Sequence, residues 1–192
     1  MKIYTKVGDN GGTSLYDGSK VSKDNIIIDC IGDIDELNCE IGCVLSSIKD
    51  IGYHGDIEIY NVIIKLQSYL FNLGALIAHP NNPDKKNLKF DENGLLVKEL
   101  EDSIDNMTAI IPKLSNFILP GGSLSMSFIH KSRTVCRRVE RKMVNLKNNE
   151  INIEPCCLIY INRLSDFLFT FARYIGHIYD VPEVIFNKNL YN

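Results

Sequence analysis

Apolar residues recur at intervals of three and four over five separate stretches of this chain, the interval that stacks side chains on one face of an α-helix. From about Asp24 to Ile48 the series is Ile27, Ile31, Ile34, Leu37, Ile41, Val44 with Leu45, and Ile48, and Asp24 or Asp33 is a candidate cap. A second series, Ile59, Val62 with Ile63, Leu66, Leu70, Leu73 and Ile77, predicts a helix over roughly 55–78 that stops before His79-Pro80. A shorter helix fits about 91–108 through Leu95, Leu96, Leu100, Ile104 and Met107. A fourth runs from about Ser123 to Leu146, and a fifth fits 155–179 through Leu158, Ile161, Leu164, Leu168, Phe171 and Ile175.

Breakers separate these series. The polar connector Pro80 to Asn87 holds two prolines, Ile111-Pro112 follows the third helix, and Phe117-Ile118-Leu119-Pro120-Gly121-Gly122-Ser123 precedes the fourth. Residues 1–23, with glycines at 8, 11, 12 and 18, read as a loop. No βαβ rhythm, internal repeat or convincing strand alternation is present. The expected fold is therefore all-α: a five-helix bundle, ferritin-like in general shape, in a single domain with the loop 1–23 leading into a helical bundle over 24–192.

Composition narrows the function classes. A chain of 192 residues can bury roughly 70% of its unfolded surface. Its formal charge of −3 and pI near 5.8 argue against broad coating of nucleic acid or an anionic membrane. No apolar run approaches the roughly 20 residues of a membrane span, and Met1 to Lys6 resembles neither signal nor transit peptide. The expected location is the cytoplasm, or the mitochondrion if a presequence precedes this chain. Cysteines at 30, 39, 43, 136, 156 and 157 form no C-x-x-C pair and are expected as reduced, small buried hydrophobes.

Charge becomes informative locally. Residues 131–142 carry six cations and one carboxylate, a local charge of +5 that leaves −8 for the rest. On a helix Arg133, Arg137 and Arg141 form one stripe, with Val135, Val139 and Met143 on a face turned well away from it. Like charges four residues apart repel, so the row calls for carboxylates or an anionic ligand, and guanidinium suits phosphate oxygens. A solvated face with ion pairs is the plain alternative. RNA binding is disfavoured by the absence of interleaved aromatics.

The N-terminal run Thr5-Lys6-Val7-Gly8-Asp9-Asn10-Gly11-Gly12-Thr13-Ser14, followed by Lys20 and Lys23, is either a phosphate cradle or an ordinary glycine-rich turn. It is not a Walker loop. Asp33, Asp35 and Glu36 cluster on the first helix, as surface charge or as partners for the arginines. In the fifth helix Asn162, Arg163, Ser165 and Asp166 are polar groups that need partners or a ligand. The four histidines show no metal spacing, no Glu-x-x-His pair exists for a di-iron site, and no nucleophile elbow occurs.

In this order the segments resemble the PduO-type ATP:cob(I)alamin adenosyltransferases. The matching pieces are Thr5-Lys6-x-Gly8-Asp9-x-Gly11-x-Thr13, Lys23, Gly32-Asp33-Ile34-Asp35-Glu36-Leu37-Asn38, Phe117-Ile118-Leu119-Pro120-Gly121-Gly122, Arg133-x-x-x-Arg137-Arg138-x-Glu140-Arg141 and Asn162-Arg163-Leu164-Ser165-Asp166. The resemblance implies a five-helix bundle assembled as a homotrimer with active sites between subunits. It implies transfer of the 5′-deoxyadenosyl group of ATP to the cobalt of cob(I)alamin, releasing triphosphate. Cobalt would be the nucleophile, which agrees with the absence of a nucleophilic motif.

By the same resemblance Thr5, Lys6, Gly8, Asp9, Thr13 and Lys23 line the triphosphate and its magnesium, which is held mainly by the ATP phosphates. Arg137, Glu140, Arg141 and Asn162 complete the ATP site, Asp35 and Arg133 pair across a subunit boundary, and Phe117 displaces the lower axial base of cobalamin. A cobalamin reductase and an adenosylcobalamin-dependent acceptor enzyme are implied partners, with neither nucleic acid nor membrane. A non-catalytic ATP- and cobalamin-binding bundle, acting as sensor or carrier, is the alternative. Intact Asp35, Arg133, Arg137, Asn162 and Phe117 favour the enzyme. Residues 183–192 match no pattern well enough to give Phe186 or Tyr191 a role.

Overall fold

Five helices form where the apolar stripes lie: α1 (Ile26–Asp50), α2 (Ile57–Ile77), α3 (Leu95–Ile110), α4 (Leu124–Asn148) and α5 (Pro155–Ile178). The computed structural model describes residues 3, 4, 6–80 and 90–187, so Thr5, Tyr191 and the connector after Pro80 lie outside the described residues. α4 is flanked by α1 and α5, α2 lies on α1, and α3 lies on α5. A Lys65–Glu99 ion pair at 2.5 Å joins α2 to α3 across the remaining gap. Leu37, Ile41, Leu66, Leu70, Val139, Tyr160, Phe167 and Phe171 are buried where the stripes meet.

The helix starts follow capping chemistry. Asn25, not Asp24 or Asp33, caps α1, its side chain accepting from the Ile27 amide at 2.9 Å. Asp56 caps α2, Ser123 caps α4, and Pro155 opens α5 at a position where no amide is needed. α3 begins later than its periodicity suggests. Asp91 accepts from the amides of Leu96 and Val97 at 2.7 and 3.0 Å, and Gly94 is left-handed, so residues 91–94 are spent on entering the helix.

Two expectations need correction. The segment read as a loop contains an antiparallel hairpin, β1 (Gly12–Ser14) with β2 (Lys20–Ser22), pairing Thr13 with Val21. Its strands are three residues long and hold one apolar residue, Val21, so they are too short to show an apolar alternation. Leu15 is buried and anchors the hairpin, and the Tyr16 ring lies 4.4 Å from that of His79 at the end of α2. Among the cysteines, Cys30, Cys136 and Cys157 are buried as expected, but Cys39 and Cys43 are exposed and Cys156 is intermediate. Leu37, Ile41, Val44 and Ile48 hold the inner face of α1, and Cys39 and Cys43 fall off it.

Candidate active site

The six cations of residues 131–142 divide between two sides of α4. Toward α1, Lys131 meets Glu40 at 2.7 Å, Arg138 meets Asp33 at 3.0 Å and also Glu36, and Lys142 meets Asp29. The acidic cluster of α1 thus serves partly as counter-charge, and it runs antiparallel to its partners. Asp35, between Asp33 and Glu36, is exposed, and its carboxylate makes no ion pair among the described residues.

Toward α5, Arg133 and Arg137 make no ion pair among the described residues. Arg133 and Arg137 line a cavity of about 370 Å³ with Ser165, Asp166, Phe169 and Thr170. Asp166 is turned to Arg163 at 2.9 Å, and Arg163 also holds Glu101 of α3 at 2.9 Å, so that carboxylate is already engaged. The Arg133 Nε is buried without a hydrogen-bond partner among the described residues. Burial, and then the neighbouring Arg137 charge, hold the Arg133 guanidinium below its ordinary pKa. A buried donor of this kind costs about 1–3 kcal/mol unless something accepts from it, and an anionic ligand is the natural acceptor.

Next along the same seam, Asn162 donates to Glu140 at 2.8 Å, and Arg141 donates to the Arg137 carbonyl at 3.0 Å. Glu140 and Asn162 therefore sit together beside the arginine cavity. His130, one turn before Arg133, is buried, and its Nδ1 has no hydrogen-bond partner among the described residues. Burial, with the Arg133 charge second, pushes its pKa down to about 4, so it is neutral at ordinary pH.

The N-terminal loop gathers its own donors. Gly8, Thr13, Lys20 and Lys23 line a cavity of about 680 Å³ over the hairpin. A Cβ at Gly8 would lie 3.2 Å from the Lys23 Nζ, so the ammonium folds directly over the Gly8 backbone. Lys6, in the left-handed region with φ 61°, and Asp9 project to solvent beside it. Loop cavity and arginine cavity share no lining residue within one chain.

A third region lies beyond α5. Phe117 is 76% exposed, and residues 117–119 pair with the chain's late segment: the Leu119 amide donates to Val184 and the Phe186 amide to Phe117, both at 2.7 Å. Phe117 and Phe186 line one cavity of about 310 Å³ with Leu114, Ser115 and Asn116.

Residues 3–175 match the family model described as cobalamin adenosyltransferase. The chain belongs to the cobalamin adenosyltransferase family. It is 38% identical over 189 residues to a corrinoid adenosyltransferase of Bacillus subtilis, covering 98% of this chain and 94% of that one. The corrinoid adenosyltransferase of Bos taurus is 38% identical over 192 residues, covering 98% of this chain and 77% of that one. A solved phenylalanine-to-alanine variant of a PduO-type ATP:corrinoid adenosyltransferase from Lactobacillus reuteri, complexed with cobalamin and ATP, superposes with a TM-score of 0.88. It is 35% identical, over 97% of this chain and all of that one.

For this family member, the site residues foreseen from sequence fall into three places rather than one. Gly8, Thr13 and Lys23 share the loop; Arg133 and Arg137 share the α4–α5 cleft with Glu140, Arg141 and Asn162 alongside; Phe117 lines a third cavity with Phe186. Phe186, left without a role by the sequence, is brought beside Phe117 by backbone pairing, which leaves no periodic signal in its segment.

Proposed function

We propose that the protein transfers the 5′-deoxyadenosyl group of ATP to the cobalt of cob(I)alamin, giving adenosylcobalamin and triphosphate. The observation that carries this is the uncompensated Arg133–Arg137 cleft, with a guanidinium nitrogen buried and unpartnered. In the transfer a Co–C5′ bond forms as the C5′–O bond breaks, and negative charge collects on the departing triphosphate. Fixed guanidinium groups stabilise that charge without reorganising, and holding C5′ in line supplies the rest. The protein then needs no nucleophile of its own.

Lys6, Gly8, Asp9, Thr13 and Lys23, with Thr5, hold the triphosphate in this reading. Magnesium would be held mainly by the ATP phosphates, offsetting part of their charge, and the exposed Asp9 carboxylate would hold it directly or through water. Two features support a homotrimer with active sites between subunits: the loop and arginine cavities are separate within one chain, and Asp35 is exposed without an ion pair among the described residues. A second copy would bring loop and cleft together and offer Asp35 to Arg133. Arg137, Glu140, Arg141 and Asn162 complete the nucleotide site, and Phe117 displaces the lower axial base of cobalamin, leaving four-coordinate Co(II) that is easier to reduce.

Co(I) must come from a one-electron reductase, and the product suits an adenosylcobalamin-dependent enzyme. No helix among the described residues is long and apolar enough to cross a membrane. The test is purified protein with ATP, magnesium and chemically reduced cobalamin, followed by the absorbance change to adenosylcobalamin. Failure to form product under strictly reducing conditions overturns the proposal. Phe117→Ala is expected to keep ATP binding and to lose activity chiefly when the starting cofactor is Co(II); an equal loss from prereduced Co(I) removes the role given to Phe117.

A further inference from the structure

The contact between residues 117–119 and 184–186 is a short one with little to hold it. It consists of two backbone hydrogen bonds around the Ile118–Ile185 bridge, and the side chains of Phe117, Leu119, Val184, Ile185 and Phe186 are all largely exposed. Two-stranded contacts of this size are marginal in water without a buried face. Yet the placement of the two phenylalanines that line the cavity depends on its spacing.

Beneath the contact lies a buried cation that the transfer reaction does not itself use. Arg173 of α5 is 8% exposed. Its Nε donates to Glu183 at 2.5 Å and its Nη2 to the Pro112 carbonyl at 2.7 Å. Pro112 begins the connection that carries Phe117, and Glu183 begins the segment that carries Phe186. The turn between α5 and Glu183 is itself pinned, with the Val181 amide donating to Gly176 at 2.8 Å and Asp180 in the left-handed region at φ 53°. A planar guanidinium can hold two acceptors at a set angle and separation, which an ammonium cannot.

We propose that Arg173 is a positioning residue: by bridging Glu183 to the Pro112 carbonyl it sets the distance between the Phe117 and Phe186 segments, and so the shape of the apolar surface that receives the corrin. This rests on the function proposed above. Arg173 touches neither substrate nor reacting atoms, and it acts through the two phenylalanines. Its effect therefore belongs to the corrin half of the site, leaving the nucleotide half unchanged.

The experiment compares wild type with Glu183→Gln and Arg173→Lys, using ATP and cobalamin as the probes. Glu183 is only partly buried and lies beyond the last helix, so its variant is expected to fold; Arg173→Lys keeps the charge and loses the fork. Both should raise KM for cobalamin about tenfold, a size in keeping with small misplacements of a reacting group, while KM for ATP stays within about twofold. The electron paramagnetic resonance signal of four-coordinate Co(II) with ATP present should weaken in both. Equal changes in the two KM values, or an unchanged signal with only a lower melting temperature, overturn the proposal.

Hydrogen exchange supplies a readout independent of the reaction. The Leu119 and Phe186 amides should lose protection in Glu183→Gln while amides within α5 keep theirs. If wild type makes no adenosylcobalamin, the functional proposal fails, and this exchange pattern still decides the clamp. Unchanged protection at both amides shows that Arg173 does not hold the segments.

Discussion

Toward α1 the cations of α4 meet carboxylates in turn, whereas toward α5 Arg133 and Arg137 meet hydroxyls, an aromatic ring and a carboxylate already held by Arg163. Both sides carry cations, and on the same helix. What differs is whether the neighbouring helix answers the charge. A helix face that is fully answered is structural; one left unanswered and half-buried is poised for an anion. Local charge alone therefore does not distinguish a site from a scaffold.

The sharpest way to break this comparison is to remove one cation from each side. Arg137→Ala should lower kcat/KM for adenosyl transfer about a hundredfold, the usual scale for deleting a charge-stabilising donor, with a melting temperature near that of wild type. Relief of the repulsion with Arg133 offsets part of any lost packing. If activity survives, the unanswered side is not the triphosphate site.

Arg138→Ala should do the reverse. It strands Asp33 and Glu36, and partly exposed pairs of this kind are worth up to about 1 kcal/mol each, so the melting temperature should fall by about 2–6 °C. Activity should stay within about threefold of wild type. A loss of turnover at unchanged stability would place Arg138 in the site and undo the division.

His130 tests the unanswered side by pH. Its pKa is about 4 in the folded protein against about 6.5 for an ordinary histidine, so between these values the unfolded chain binds a proton that the folded chain refuses. Stability therefore falls as pH drops from 6.5 toward 4. Denaturant unfolding at pH 7 and pH 5 should show wild type losing more stability than His130→Asn over that interval. Coincident slopes would mean that the folded protein accepts the proton freely.

The smallest effect is expected at Lys142→Met. Its pair with Asp29 is half exposed, so the change should be a few tenths of a kcal/mol and should vanish in high salt. A change that persists in molar salt would show that packing of the lysine stem, rather than charge, matters there.

How much of this was legible beforehand follows from what each feature depends on. The helices were legible because burial of one face imposes a 3.6-residue period, and Ile27, Ile34, Leu37, Ile41, Val44 and Ile48 obey it in α1. The apolar stripe Val135, Val139 and Met143 was legible for the same reason. Which cations would be answered was not. Arg137 and Arg138 are sequence neighbours about 100° apart on the helix, and only the placement of α1 decides that Arg138 is paired and Arg137 is not. The hairpin and the Phe186 contact depend on a few backbone hydrogen bonds, and those leave no periodic trace.

The ion pairs between α1 and α4 also act as an index for alignment. Apolar side chains attract without much regard to position, and an Ile, Leu and Val surface can slide by a turn at modest cost. The charges are less tolerant. Moving α4 one turn along α1, about 5.4 Å, would set Lys131 against Val44 and Arg138 against Leu37 in one direction, leaving only Lys142 opposite a carboxylate, Asp33; in the other direction Lys131 would face Glu36 and Arg138 Asp29, while Lys142 would face Asn25. The same slide would carry Arg133 away from Phe169 and Thr170. The side of α4 that faces α1 thus works as a vernier: of these three registers, only the observed one gives Lys131, Arg138 and Lys142 each a carboxylate, and that register sets where the other side presents its arginines.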